Sequence, residues 1–581
     1  MKPQHQFNQI RSITSSVPPQ YRTSKITSLR IVALTICLSI CLLVTALGCS
    51  KKEQAQPTAS PLAYLPANTL AFGTFDASHP KIRSYMTSKG YLRYWESMEK
   101  TLQSNKGITG DWSAYLAAMR VLKLAPDPAS AQASPYKEMV FFVVKEPQGL
   151  ATAVYYNITP GTDGRDLVKQ LKQVLDGAKV VTQPIAGTGF EGVSFKLLPD
   201  NAAANGAAAN PVLKFYYDFL GLNDCFVAAS NNRLVFASTK SLLERGFSPA
   251  QNEFKAFLES NDYKKVDSSL GDLQNVIGFG AANFAEIVKA VPATFKEQVS
   301  SLSPVGLAKA SFENDLMHFA LALPVDHDAS IFGKYVASLP KPAGELFLKL
   351  PNGAIGAVAL DAGTALSLIK TVAAEQGAPM AQLNVALDLL SKIKTIGVAA
   401  LTPTQGKSVG IPQGMMLPSG LVVLEAADAK VLTTEIEQLP SKFGIPLPLT
   451  WVDSTVSGLP ARSVDMQLGF KLQMLAKDNL VLLSNDEVAL AGFISGNSGE
   501  NTAQQLRDTP ILKPLLTPAG APAAGIYLDY TKFGPTLQSL APGGATMPNA
   551  SVEQFQSMGK VAFVAGYQQG ILRLSMSQDL N

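Results

Sequence analysis

Three short stretches of this chain occur twice, in the same order. Leu65-Pro66 leads through a strand-like run to Asp76-Ala77, and Leu350-Pro351 leads through a run of the same length to Asp361-Ala362. Farther along, Leu234-Val235 is followed by Ser238 and Gly246-Phe247. Leu480-Val481 is followed, at the same spacing, by Ser484 and Gly492-Phe493. The third pair is an alternating run after a turn: Leu316 to Leu323 after Asn314-Asp315, and Ile571 to Ser577 after Gln569-Gly570. Solenoid repeats recur every ~20–50 residues, so a period this long reads as one domain present twice. The copies are placed at 61–335 and 336–581, with the Pro-rich stretch Leu339 to Gly344 as a linker. Roughly 520 residues exceed one ordinary core, which agrees with two domains.

Within a copy the pattern is mixed. Met139 to Val144 and Ala151 to Asn157 read as strands. Leu167, Leu171 and Val174 fall at helical spacing and predict a helix over 166–175. Strands near 190–197, 213–217, 224–229 and 233–237 follow, then a helix from about Asn283 that Pro292 ends. Strands joined by hairpins pair antiparallel. The expected fold class is therefore α+β: two homologous domains, each a largely antiparallel sheet with helices packed on one face. Ala125 to Ser134, Pro199 to Pro211 and Ala541 to Ser551 read as long surface loops.

The first fifty residues carry a different signal. Lys2, Arg11, Arg22, Lys25 and Arg30 precede an uncharged run from Ile31 to Gly48, which ends in Ala46-Leu47-Gly48-Cys49. A basic segment, an apolar core and small residues at a cut are the parts of an export signal. With a cysteine just after the cut, the segment resembles a bacterial lipoprotein leader. The resemblance implies removal of residues 1–48 after Gly48, and acylation of Cys49 with fatty acids such as palmitate. Residues 49–60 become the lipidated cysteine and a flexible tether. Ser50, where an aspartate would favour the inner membrane, implies an outer-membrane lipoprotein facing the periplasm. The other reading of the segment is an uncleaved signal anchor, since ~17–25 apolar residues can span a bilayer.

A second resemblance covers the mature part. Leu65-Pro66-Ala67-Asn68-Thr69-Leu70-Ala71, and Asn232-Arg233-Leu234 continuing to Ser238, are similar to a family of bacterial extracytoplasmic proteins of unknown function. That likeness implies no catalytic residue.

Charge and cysteine usage bound the partners. The chain has 49 basic and 45 acidic residues, and without the five basic residues of the leader the balance is 44 to 45. A near-neutral body has no electrostatic footprint for nucleic acid and no polybasic cluster for lipid headgroups. The four cysteines are Cys37, Cys41, Cys49 and Cys225. Only Cys225 would remain with a free thiol, in an apolar strand-like run where an inert buried thiol is the default.

Each candidate for chemistry has a structural reading. Gly187-Thr188-Gly189-Phe190-Glu191-Gly192 spells G-x-G-x-x-G, but a strand follows it where a dinucleotide site needs a helix. Ser134 to Lys137 and Ser391 to Lys394 spell Ser-x-x-Lys without the companion elements of acyl-enzyme serines. His318 alternates away from Phe319 and Leu321 and reads as solvated, with Arg573 as its counterpart. His79 is the other isolated histidine, and Asp326-His327-Asp328 is too local to enclose a metal ion. Asp76, Asp361 and Asp529 each end a strand and read as helix N-caps. The sequence thus gives no catalytic residue, no cofactor and no metal site. The expected role is non-catalytic binding or scaffolding in the periplasm, with a lipid or an envelope protein as partner. The groove between two similar domains or an uncovered apolar sheet face would serve as the site. The other readings are an envelope hydrolase with dispersed catalytic residues and a solute-binding lipoprotein.

Overall fold

The computed structural model describes chiefly residues 64–86, 113–124, 135–196, 224–248, 258–290, 305–326, 343–363, 380–402, 419–442, 450–516, 523–540 and 556–579, apart from short gaps inside these spans. The first ten strands are β1 (Thr69–Phe75), β2 (Tyr136–Glu146), β3 (Gly149–Ile158), β4 (Thr182–Gly187), β5 (Phe190–Phe195), β6 (Cys225–Ala229), β7 (Arg233–Ala237), β8 (Val276–Asn283), β9 (Val305–Glu313) and β10 (Leu316–Pro324). The next ten are β11 (Ala354–Asp361), β12 (Ile393–Leu401), β13 (Ser419–Ala426), β14 (Val452–Val456), β15 (Leu459–Asp465), β16 (Lys471–Lys477), β17 (Leu480–Ser484), β18 (Ala524–Asp529), β19 (Lys560–Gln568) and β20 (Ile571–Asp579).

All twenty belong to one sheet. The first ten lie in the spatial order β4-β5-β6-β7-β3-β2-β1-β8-β9-β10. The second ten repeat it as β14-β15-β16-β17-β13-β12-β11-β18-β19-β20. These pairings are all antiparallel. The two sets meet where β10 pairs with β20, its counterpart. The ladder runs from Leu316 opposite Asp579 to Pro324 opposite Ile571, with Ala320 opposite Ser575 at its centre. Two equivalent strands pairing antiparallel relate the units by an approximate two-fold axis at that midpoint.

This architecture corrects the expected α+β class. The fold is predominantly β: one twenty-stranded antiparallel sheet replaces two separate sheets with helices on one side. The helices are short and lie on both faces. In the first unit the Lys240–Arg245 helix packs its Leu242 and Leu243 with Tyr155 and Val235. The Gly164–Gly177 helix packs Leu167, Leu171 and Leu175 with Leu234 and Val227, whose side chains point the other way. The physical reason for the merger is the edge of each unit. β10 and β20 would each expose a row of unpaired N–H and C=O groups, and pairing them satisfies both rows at once.

Local sequence accounts for the helices. Asp163 accepts the backbone N–H of Arg165 and starts the Gly164–Gly177 helix, and Thr239 accepts from Leu242 at the next one. The strand expected near 213–217 and the three long loop stretches lie outside the described residues, as does most of the 339–344 linker.

Candidate functional site

Successive side chains in a strand point to opposite faces, and in the second unit the two faces differ in chemistry and burial. One set of positions, including Ala357, Ala399, Tyr527, Ala562 and Val564, joins a closed core with Phe347 from the Gly344–Lys349 helix and Phe493 from the Glu487–Ser498 helix. This is the Tyr527 face. The alternate positions form the Phe563 face. Here the alternate residues from Ile396 to Ala400, Gly356 to Leu360, Ala524 to Leu528 and Val561 to Ala565 are apolar or glycine, with Tyr567 following on the same side of β19; Val561 is buried in a cluster with Ile82, and Ile396 packs in the cluster of the Ala429–Lys442 helix.

Across the middle of that face runs one continuous rung. Val398 stands opposite Val358, Val358 opposite Ile526, and Ile526 opposite Phe563. Val398 is 37%, Ile526 44% and Phe563 37% exposed, among the most exposed large apolar side chains of the described residues. Each of the four strands has a hydrogen-bonded neighbour on both sides, so the backbone offers no spare ladder edge. A contiguous apolar surface with its backbone polar groups paired can do one thing: remove another apolar surface from water.

The first unit closes the same face. The equivalent rung is Phe141, Gly73, Gly280 and Ala308. Gly73 stands three residues before Asp76, as Val358 does before Asp361. Gly73, Gly280 and Ala308 are buried. Ile82 of the Pro80–Met86 helix clusters with Ala308, Ala310 and Phe319. Small side chains on the sheet and a helix above them stand where the second unit has its rung; the segment after β11 that corresponds to this helix, 364–379, lies largely outside the described residues.

Where a groove was expected between two domains, β10 and β20 pair directly. On the Tyr527 face of this seam His318 meets Ser577 at 2.6 Å between Nδ1 and Oγ. His318 is 4% exposed, which corrects its reading as solvated: it is buried against Ser577 of the other unit. Arg573, its counterpart, is half-buried, and burial lowers its pKa. Ser577 is fully buried, so this serine–histidine contact presents no nucleophile to a substrate.

The other sequence candidates fall into structural places. Asp76 accepts from Ser78 N and Oγ, and Asp529 accepts from Thr531 N at 3.2 Å and pairs with Lys532 Nζ at 3.3 Å. Both close turns at strand ends, as N-caps do. Asp361 ends β11 in the equivalent place. The G-x-G-x-x-G run is the tip of the β4–β5 hairpin, with Gly189 at φ 84. Ser391 ends the Met380–Ser391 helix and donates to Asp388 O. His79 stacks on Phe312 with ring centroids 5.4 Å apart. Burial pushes the Cys225 thiol up to about 12, which keeps it protonated and inert. Gly48, Cys49, Ser134, His327 and Asp328 lie outside the described residues. Among the described residues no group of three or more His, Cys, Asp or Glu side chains could hold a metal ion.

Sequence reading missed one polar cluster. Arg233, buried on β7, donates to Asn157 Oδ1 and to Gly246 O at 2.8 Å, and its guanidinium lies 3.6 Å from the centre of the Tyr64 ring. Asn157 in turn donates to Glu138, whose carboxyl is raised to about 6, chiefly by burial. The cluster binds the first described residue, Tyr64, to the sheet.

No family model matches the chain, and no curated protein matches it. Among solved structures it is similar to the crystal structure of TP0453 in crystal form I, at 10% identity and a TM-score of 0.21. The overlap covers 41% of this chain and 79% of that one. A likeness at that score carries no argument about fold or function. Among the described residues no helix is long and apolar enough to cross a membrane.

Proposed function

We propose that this chain is a lipid-anchored protein of the bacterial cell envelope, held in the outer membrane through Cys49 and facing the periplasm. Its role is non-catalytic binding, and residues 61–335 and 336–581 are copies of one domain. The repeated strand order supports the duplication. The leader ending at Gly48-Cys49 supports the address. The observation that carries the binding role is the rung of Val398, Val358, Ile526 and Phe563 in the second unit, with Val398, Ile526 and Phe563 exposed. A water-exposed apolar sheet face costs solubility unless something covers it.

The address is tested by growing cells that express the full chain with radiolabelled palmitate. The label is expected in the wild-type chain, whose mature form begins at residue 49, and absent from Cys49→Ser. Label retained in Cys49→Ser would overturn lipidation at this site.

A further inference from the structure

We infer that each unit completes the other's core at the β10–β20 seam, so that the two units move and unfold as one body with no hinge between them. The observation that carries this is a reciprocal exchange on the Tyr527 face. Leu316, the first residue of β10, belongs to the first unit but is buried in the second unit's core cluster, with Phe347, Leu512 and Tyr527. Ile571, the first residue of β20, belongs to the second unit but is buried in the first unit's cluster, with Phe142, Leu307 and Ala322. The two residues hold equivalent places, at opposite ends of the ladder and related by the two-fold at Ala320 and Ser575.

The other face crosses the seam as well. There one rung runs from Ala310 to Phe319, on to Met576 and then to Phe563. Ile82, Ala310 and Phe319 of the first unit share a buried cluster with Val561 and Met576 of the second. Val325 of the first unit clusters in the same way with Leu572. Apolar contact therefore joins the units on both faces, and between the faces runs an antiparallel ladder of nine residue pairs. A hinge works through a few residues that absorb a large change in φ and ψ while the packing on either side is kept. Opening this seam would instead break the ladder and expose apolar side chains of both cores at once. Closure of one unit upon the other around a ligand is thereby excluded.

The inference depends neither on lipidation nor on the proposed binding role. Hydrogen exchange of the full chain, read by mass spectrometry on peptides from both units, tests it, because the slowest amides of a body exchange only through its global opening. Leu316→Ala and Ile571→Ala each remove a buried side chain that serves the opposite core. Each is expected to speed the slowest amides at least about tenfold in β2 and β3 of the first unit, and by the same factor in β12 and β13 of the second. Val181→Ala, at a position 80% exposed, is expected to change neither. If an alanine variant does not fold, Leu316→Val or Ile571→Val gives the same comparison with a smaller change of about threefold. Faster exchange confined to one unit, whichever unit it is, overturns the inference, and so does an unchanged rate in both. Failure of palmitate labelling at Cys49 would overturn the anchor alone.

Discussion

In the first unit the rung Phe141–Gly73–Gly280–Ala308 lies largely beneath other residues; in the second, Val398–Val358–Ile526–Phe563 faces outward. The strand order, the register and the aspartates at the ends of β1 and β11 correspond, so the backbone does not set the difference. Side-chain volume does. A glycine pair and an alanine leave room for the Pro80–Met86 helix, whereas the second unit carries valine, isoleucine and phenylalanine at the same places. Two units with one strand order thus differ, among the described residues, in the side chains they place on a shared face.

Four measurements would break or sharpen this contrast, each read from the denaturant midpoint of the purified chain. The Tyr527 face should not distinguish the units, because both are closed there. Phe142→Ala in the first and Phe347→Ala in the second each remove a fully buried ring. Both are expected to cost about 3–5 kcal/mol, and a much smaller loss in either would show that its core is loose.

The Phe563 face should distinguish them. Ala308→Phe transplants the second unit's residue into a site already occupied by Ile82, and overpacking of this kind costs about 1–3 kcal/mol. A neutral result would mean the first unit's face is open after all.

Glu138 gives a pH-dependent contrast. Burial raises its folded pKa to about 6, above the ordinary 4.5 of a glutamate. The stability it contributes is therefore fully present below pH 4.5 and is lost as pH rises through 6. Glu138→Gln is expected to exceed the wild type by about 1–2 kcal/mol at pH 7.5, with the gap closing below pH 4.5. The equivalent position in the second unit is Thr395, which carries no such titration. A constant gap at all pH values would assign the effect to packing.

The smallest effect is expected at the exposed rung itself. Phe563→Ala should change the free chain by less than about 0.5 kcal/mol, as surface substitutions do. A loss of several kcal/mol would show that protein covers the ring.

Much of the local structure was legible. The strands around Val140, Ala153, Val227 and Val235, the helix carrying Leu167 and Leu171, and the hairpin at Gly189 all follow from periodicity and turn chemistry. Two of the strands outside that reading show why. β8, Val-Ile-Gly-Phe-Gly-Ala-Ala-Asn, is too rich in glycine and alanine to signal a strand, because its small residues serve close packing rather than β propensity. β4 holds Pro184 and mostly exposed positions, as an edge strand can. At the candidate site, the strand-like run ending at Asp361 was readable, but not which of its positions stayed uncovered.

The sequence by itself determined the repeat, the alternation within each strand and the capping residues, because these depend on neighbours a few positions away. Only the tertiary structure decided that β10 would pair with β20, that His318 would be buried against Ser577, and that the shared rung would be largely buried in the first unit and largely exposed in the second. The edges of all strands carry the same backbone donors and acceptors, so side-chain pattern does not name the partner. Burial is a property of what arrives on a face, and that arrival comes from residues hundreds of positions away.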